Sequence, residues 1–118
     1  MARKKRTSKP LTLLSNEQLA DLELESEFQA RVVDFAQYNG WKVYSVPDSR
    51  RATMAGWPDL TMYRVSDRRL VFAELKRAKG GRVSPAQEIV MADLAAIGEE
   101  VHLWKPDDWD EIVATLKK

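Results

Sequence analysis

The 118-residue chain contains no cysteine and a single histidine, and it has no long apolar run. Without cysteine it forms no disulfide, no thiolate zinc site and no cysteine nucleophile, so a bound metal would be held mainly by oxygen. The lone His102 makes Ser/His/Asp catalysis and histidine-rich zinc sites poor candidates. No apolar stretch approaches the roughly 18 to 20 residues that span a bilayer, so we expect no membrane partner.

The beginning of the sequence is basic rather than apolar. Residues 1–10 carry five basic groups and no acid, and no segment of signal-peptide type follows, so we expect a cytoplasmic location. The like-charge run predicts that residues 1–14 form a basic flexible arm, with a solubilising tail as the alternative. Residues 15–118 have the length and composition of one globular domain.

The net charge of +1 hides an uneven distribution. Residues 50–82 hold nine basic and three acidic groups, a local excess of +6, whereas residues 11–49 and residues 83–118 each carry −5. A concentrated positive field in the middle of the chain is what a polyanion would encounter.

Hydrophobic periodicity and capping signals divide the domain into helices and strands. After a short helix opened at Ser15, the predicted elements are a helix over residues 23–38, strands over 41–46, 60–65 and 69–75, a helix from Ser84 to Gly98, a strand over 101–104 and a last helix capped by Asp107 or Asp108. The polar connector over residues 66–68 predicts an antiparallel hairpin. The order α-β-β-β-α-β-α indicates an α/β domain with a mixed sheet flanked by helices.

Charged residues occur where the two strands of this hairpin begin and end. Side chains alternate across a strand, so Glu74 and Lys76 point to the same face. Antiparallel pairing should bring Asp59, at the start of one strand, beside Glu74 at the end of the other. Two adjacent carboxylates repel each other unless a cation lies between them. The alternative is a Pro-Asp turn and a Glu74–Lys76 pair, all solvated at a sheet edge.

Two residues on the predicted helices also face inward. Glu25 lies on the same stripe of the first helix as Phe28, whereas Glu27 should face water. The alternative for Glu25 is a favourable interaction with the helix dipole. Gln87 sits at the inward edge of the later helix, with a capping-box bond to Ser84 as its alternative role.

Three carboxylates and a lysine in a basic neighbourhood meet the requirements of metal-assisted phosphodiester hydrolysis. Phosphates repel anionic nucleophiles, so the reaction uses hard cations on oxygen ligands to neutralise charge and to generate hydroxide from water. A lysine beside the site orients that water or stabilises the pentavalent phosphorane. Proton removal by Lys76 stays open, because neighbouring carboxylates favour its charged form and a nearby metal disfavours it.

The spacing of these residues resembles a nuclease signature. Pro58-Asp59, with Glu74-Leu75-Lys76 following, resembles that of the PD-(D/E)XK nuclease superfamily. Within that superfamily the chain resembles the VRR-NUC family over about residues 23–105, in four blocks: Glu25-Ser26-Glu27-Phe28-Gln29, Gly56-Trp57-Pro58-Asp59-Leu60, Glu74-Leu75-Lys76 and Ser84-Pro85-Ala86-Gln87. The resemblance implies a restriction-endonuclease-like core, a mixed β-sheet flanked by helices.

The resemblance also implies a cofactor, a substrate and an assembly. It implies Mg²⁺ or Mn²⁺ bound by Glu25, Asp59, Glu74 and the Leu75 carbonyl, with Lys76 acting on the attacking water and Gln87 supporting the site. Stand-alone family members, often encoded by phages, resemble Holliday-junction resolvases, which implies a homodimer on branched DNA. Two strands of a junction must be cut at symmetric positions, and one small domain holds one site.

Basic residues in loops around this site are the candidates for phosphate contacts, which fix position without reading sequence. They are Arg50, Arg51, Lys79 and Arg82, with solubility as the alternative role. Of the four tryptophans, Trp41, Trp104 and Trp109 fall on apolar faces, so only Trp57 is expected to touch DNA.

Other functions remain open at this level. A general or restriction-like endonuclease would share the site but act on a different substrate geometry. A non-catalytic DNA-binding accessory module would keep the fold, although Asp59, Glu74 and Lys76 together argue for chemistry. A metal-independent interaction domain would leave the central basic excess unexplained.

Overall fold

The computed structural model describes residue 15, residues 23–46 and residues 53–118. The predicted basic arm of residues 1–14 lies outside the described residues, as does the predicted short helix apart from Ser15. The domain boundaries proposed from the sequence therefore stay predictions.

The first described helix, α1, spans Glu25–Tyr38. Its buried residues are Phe28, Val32 and Ala36, which recur at helical spacing as the sequence predicts. The helix ends before Gly40, whose φ of 88° lies in the left-handed region that glycine adopts without strain. A reversal at this point leads directly into strand β1, Lys42–Ser45.

The predicted hairpin is confirmed. Strand β2 spans Leu60–Arg64 and strand β3 spans Arg69–Leu75. They pair antiparallel with Leu60 opposite Ala73, and β2 also pairs antiparallel with β1. This register puts the start of β2 beside the end of β3, which is where the candidate site lies.

A helical crossover adds the fourth strand. Helix α2 spans Pro85–Ala96, and strand β4, Glu100–Trp104, returns parallel to β3. A 3₁₀ turn over Pro106–Asp108 then leads into helix α3, Trp109–Leu116. The sheet order β1-β2-β3-β4 makes it a mixed sheet, as the sequence predicts.

Helices cover both faces of this sheet. On one face, α1 and α3 bury the main core with the inward residues of β2, β3 and β4: Phe28, Val32, Ala36, Trp41, Leu60, Met62, Val71, Ala73, Leu75, Trp104, Ile112 and Leu116. On the other face, α2 packs Val90 and Leu94 against Phe72 and Val101. Consecutive residues of β3 thus alternate between the two layers, so a side chain at Glu74 belongs to the α2 face.

The tryptophans follow the same division. Trp41 and Trp104 are buried, and Trp109 packs edge-on against Phe35. Trp57 alone keeps more than a third of its surface exposed. The predicted distinction between three core tryptophans and an accessible Trp57 is confirmed.

Buried Arg64 links β2 to the residue after α1 and to the last residue of α3. Its Nη1 donates to the carbonyls of Asn39 and Leu116, both at 2.9 Å, and its Nη2 lies 2.7 Å from Asp67 Oδ2. The guanidinium also lies 4.5 Å from the Trp41 ring centroid. These contacts satisfy a cation that would otherwise be costly to bury.

Within residues 23–46 and 53–118, no helix combines the length and apolar character that crossing a bilayer requires.

Candidate active site

The site lies where the start of β2 is beside the end of β3. Asp59 immediately precedes β2, and the register places it opposite Glu74 near the end of β3. The Asp59 backbone N–H donates to Glu74 Oε1 at 3.1 Å, and the Leu75 N–H donates to Asp59 Oδ2 at 2.8 Å. The predicted proximity of Asp59 and Glu74 is therefore a reciprocal contact, in which each carboxylate accepts a backbone N–H from the other's strand.

Glu74 is an unusual residue for a strand interior because its carboxyl is buried. No part of the residue is exposed to solvent. Burial, followed by the negative charge of Asp59, raises the pKa of Glu74 to about 7, although Lys76 pulls in the opposite direction. Near neutral pH this carboxyl is therefore close to half ionised.

Lys76 lies on the same side of the strand as Glu74, as side-chain alternation predicts. Its Nζ lies 3.4 Å from Glu74 Oε2, and the lysine side chain is only 12% exposed. The strand is held in place here because the Lys76 N–H donates to the Trp104 carbonyl of β4 at 3.0 Å. The alternative of a wholly solvated trio at a sheet edge is wrong, since Glu74 is buried and Lys76 nearly so.

Gln87 combines the two roles that the sequence left as alternatives. Its Oε1 accepts from the Ser84 N–H at 2.8 Å, and Ser84 Oγ accepts from the Gln87 N–H at 3.2 Å, which completes a capping box at the start of α2. The other end of the same amide, Nε2, donates to Glu74 Oε2. The helix cap therefore fixes the direction of a side chain that orients Glu74.

Gly56 has a role that sequence reasoning did not assign. Its φ is 95°, and a Cβ at this position would lie 2.4 Å from the Ala86 carbonyl oxygen. The loop before Asp59 thus packs directly on the first turn of α2, the turn that carries Gln87. The sequence shows a glycine at the start of the Gly-Trp-Pro-Asp block, but the need for glycine comes from a tertiary contact that the sequence does not show.

Glu25 is half-buried in the first turn of α1, on the stripe shared with Phe28. Helix α1, however, packs on the opposite face of the sheet from Glu74. Among the described residues, no three histidine, cysteine or acidic side chains lie close enough to hold a metal ion together. The structure thus joins Asp59 and Glu74 but not Glu25, whose ligand role stays a prediction.

Glu27 is exposed, as predicted, and has a local role. Its Oε1 accepts from the Leu24 N–H at 2.9 Å, closing the start of α1.

Of the four residues predicted to contact phosphate, two lie among the described residues. Arg50 and Arg51 lie outside the described residues. Lys79 and Arg82 are exposed on the segment that runs from Lys76 to the start of α2. The segment begins at the end of β3, where the candidate site lies, and the contact of both side chains with DNA stays a prediction.

Sequence comparisons find no relative: neither the protein-family models nor the curated proteins match the chain. Solved structures do match. A structure described as a VRR_NUC domain is 19% identical, with a TM-score of 0.63, over 76% of this chain and 94% of that one. A second, described as a VRR_NUC domain protein, is 21% identical, with a TM-score of 0.59, over 78% of this chain and 86% of that one.

The chain has the VRR-NUC fold. The resemblance predicted from the four sequence blocks is thereby confirmed at the level of the fold. On this fold the contact of Asp59 with Glu74, the adjacent Lys76 and the bridging Gln87 form one continuous polar cluster at the end of β3.

The donor set of this site fits a hard divalent cation. The available ligand atoms are carboxylate oxygens of Asp59 and Glu74 and the backbone carbonyl of Leu75, and Mg²⁺ is typically held by one or two carboxylates plus water and substrate phosphate. Burial and then the charge of Asp59 raise the pKa of Glu74, and a bound cation would offset both effects. The absence of a third clustered acid among the described residues is compatible with this mode of binding.

Proposed function

We propose that the protein is a divalent-metal-dependent endonuclease that hydrolyses phosphodiester bonds in DNA. The observation that carries the proposal is the buried contact of Asp59 with Glu74, with the Lys76 ammonium against the same glutamate. Like charges held together away from water reduce stability, and residues with strongly shifted pKa values cluster at functional sites. The VRR-NUC fold supports the same conclusion.

Each residue of the site has a proposed task. Asp59, Glu74 and the Leu75 carbonyl would hold Mg²⁺ or Mn²⁺, with Glu25 as a further candidate ligand. The bound cation would supply charge neutralisation at the phosphate and a more acidic water.

Two side chains, Gln87 and Lys76, orient the carboxylate and place positive charge at the site. Gln87 donates to Glu74 Oε2 and so keeps the carboxylate in one orientation while its helix cap keeps Gln87 itself in place. Lys76, beside that oxygen, places a positive charge where the phosphate accumulates negative charge and where the attacking water must be oriented. Its limited exposure strengthens these interactions, since the local dielectric is lower than in water.

The finer proposal concerns substrate and assembly. We propose that the enzyme acts on branched DNA, with the Holliday junction as a candidate substrate, and that it works as a homodimer so that two sites meet two strands. The central basic excess over residues 50–82 supports binding to a polyanion, and Arg50, Arg51, Lys79 and Arg82 are the proposed phosphate contacts.

Cleavage assays on purified protein test the proposal. Duplex, single-stranded and four-way junction DNA would be incubated with Mg²⁺, with Mn²⁺ and with chelator, using wild type, Asp59→Asn and the control Asp93→Asn on the exposed side of α2. We expect metal-dependent cleavage that falls by about 100-fold or more in Asp59→Asn, since even residues that only support metal ligands cost about 10–100-fold.

Each outcome has a distinct meaning. Asp93→Asn should cleave like wild type. Symmetric incision of the junction would support the homodimer on branched DNA, whereas equal cleavage of every substrate would leave a general endonuclease. DNA binding without cleavage in either metal would favour a non-catalytic binding module and contradict the proposal.

A further inference from the structure

One half of the α2 face of the sheet is open. Helix α2 covers β3 and β4 through Val90 and Leu94, but no described helix lies over the same face of β1 and β2. A shallow depression on this half is lined by six residues, and we call all of them except Val43 the aromatic patch: Lys42, Tyr44, Trp57, Thr61 and Tyr63. Among residues 23–46 and 53–118, no helix therefore covers the patch, whereas α2 covers the neighbouring half of the face.

The register of β1 and β2 arranges the patch in rows. Lys42 is paired with Tyr63, and Tyr44 is paired with Thr61, so each tyrosine has a polar or charged neighbour directly across the strands. Trp57 joins the second row because its Nε1 donates to Thr61 Oγ1 at 3.2 Å. The edge of its ring also packs on Phe72, at 5.6 Å between centroids.

The aromatic rings of the patch are exposed. Tyr44 is 60% exposed, Tyr63 is 50% exposed and Trp57 is 37% exposed. Isolated exposed aromatic residues are common on proteins, but here two on neighbouring strands and one in the loop before β2 line the same depression. A lysine beside them makes this surface amphipathic rather than simply apolar, which suits a partner with flat rings and negative charge.

The patch begins beside the candidate active site. Thr61 pairs with Phe72, which lies two residues before Glu74, so the row of Tyr44 and Thr61 is about 7 Å along the strand from the carboxylate. Tyr63 pairs with Leu70, which places the row of Lys42 and Tyr63 about 13 Å away. Successive nucleotides of a stacked strand are spaced by about 3.4 Å, so the patch spans the first few nucleotides beside the site.

We propose that the aromatic patch stacks unpaired bases of the DNA strand that continues from the phosphate at Asp59 and Glu74. The inference rests on the nuclease function proposed above. Bases in a duplex are stacked on one another and hide their faces, whereas unpaired bases offer a face to each ring. The patch would thus recognise a single-stranded segment of the substrate beside the cut site. The Lys42 ammonium would lie next to the sugar-phosphate backbone of that segment.

Binding in chelator tests the patch without cleavage. The probes are a labelled oligonucleotide of about 12 thymidines, within the site sizes of single-strand binding proteins, and a duplex of the same length. The variant is Tyr44→Thr/Tyr63→Thr, because threonine retains the β-branched preference for strands. Tyr38→Thr is the matched control, since Tyr38 is 87% exposed at the end of α1, outside the sheet.

The expected result is selective. Each lost tyrosine should weaken binding of the thymidine strand by about five-fold or more, since stacking on one ring is worth about 1–3 kcal/mol. Duplex binding should change less than about two-fold, because its bases do not reach the rings. The thymidine strand should also quench the accessible indole of Trp57, and Trp57→Phe should remove that quenching.

Two results would overturn the proposal. If the tyrosine variant binds both probes equally more weakly, or binds both as tightly as wild type, the patch does not bind unpaired bases. A wild-type dimer that becomes a monomer in this variant, with thymidine binding unchanged, would show that a second copy of the chain covers the patch. Metal-dependent cleavage of duplex, single-stranded and four-way junction DNA is measured separately, so failure of the nuclease proposal would be visible as absent cleavage of all three substrates while strand binding still decides the patch.

Discussion

Titration of Glu74 should make the protein less stable as the pH rises from acid to neutral. The pKa of this buried carboxyl is raised from 4.5 to about 7, so its contribution to stability is fully present below about pH 4.5 and is lost as the pH rises through about 7. At about 1.4 kcal/mol per pKa unit, the shift corresponds to a loss of about 3 kcal/mol in the free energy of unfolding. That is a large share of the stability of a small domain.

Urea unfolding followed by tryptophan fluorescence measures this loss. The measurements run from about pH 5 to about pH 8 in chelator. Below this range two other carboxylates affect stability: basic partners lower the pKa values of Asp67 and Glu100, so their contribution to stability is lost as the pH becomes more acidic. Glu74→Gln removes the titration, so the difference between wild type and Glu74→Gln isolates it. Glu88→Gln, exposed on α2, is the control. Parallel pH profiles for wild type and Glu74→Gln would refute the assignment of a raised pKa.

Three further substitutions test the contacts that build the fold and the site. Gly56→Ala should reduce stability by more than about 1 kcal/mol, because the added methyl would meet the Ala86 carbonyl at a positive φ. Gln87→Leu should cost about 1–2 kcal/mol, because it leaves the Ser84 N–H and Glu74 Oε2 without their side-chain partner, and it should slow cleavage by about 10–100-fold by releasing Glu74. Arg64→Met should cost about 2 kcal/mol or more, because it removes the donor to the Asn39 carbonyl and the ion pair with Asp67, although the Leu116 carbonyl keeps the Trp41 N–H as a donor.

Matched variants separate these effects from general damage. Gly80→Ala shares the positive φ but meets nothing within 4 Å, so it should cost less than Gly56→Ala. Gln37→Leu and Arg77→Met change exposed side chains and should leave urea unfolding close to wild type. If a variant and its control unfold alike in any pair, the corresponding contact does not contribute as proposed.

The elements of the fold follow from local patterns in the sequence. The spacing of Phe28 and Val32 predicts α1, and the connector before Arg69 predicts the hairpin whose register brings Asp59 to Glu74. Ser84 and Pro85 predict the start of α2. These signals are reliable because each depends on residues close together in the chain.

Features that depend on distant contacts were not predictable in the same way. Helical phase puts Glu25 on the inward stripe of α1 but does not say which face of the sheet α1 covers, and that face is the one opposite Glu74. Likewise, the sequence offers a capping role and a site role for Gln87 as alternatives, whereas the two ends of its amide make both bonds. The exposure of Tyr44 and Tyr63 depends on where α2 stops covering the sheet.

Lys76→Met separates catalysis from binding most directly. Single-turnover cleavage in Mg²⁺ or Mn²⁺ of the DNA substrate that wild type cuts fastest, among duplex, single-stranded and four-way junction DNA, and affinity for the same DNA in chelator would be measured for wild type, Lys76→Met and the control Lys117→Met at an exposed position. We expect Lys76→Met to cleave about 100-fold or more slowly while its DNA affinity stays close to wild type, because the proposed role of the ammonium is to act on the reacting phosphate and water. Cleavage by Lys76→Met at the wild-type rate would contradict a catalytic centre at Asp59, Glu74 and Lys76.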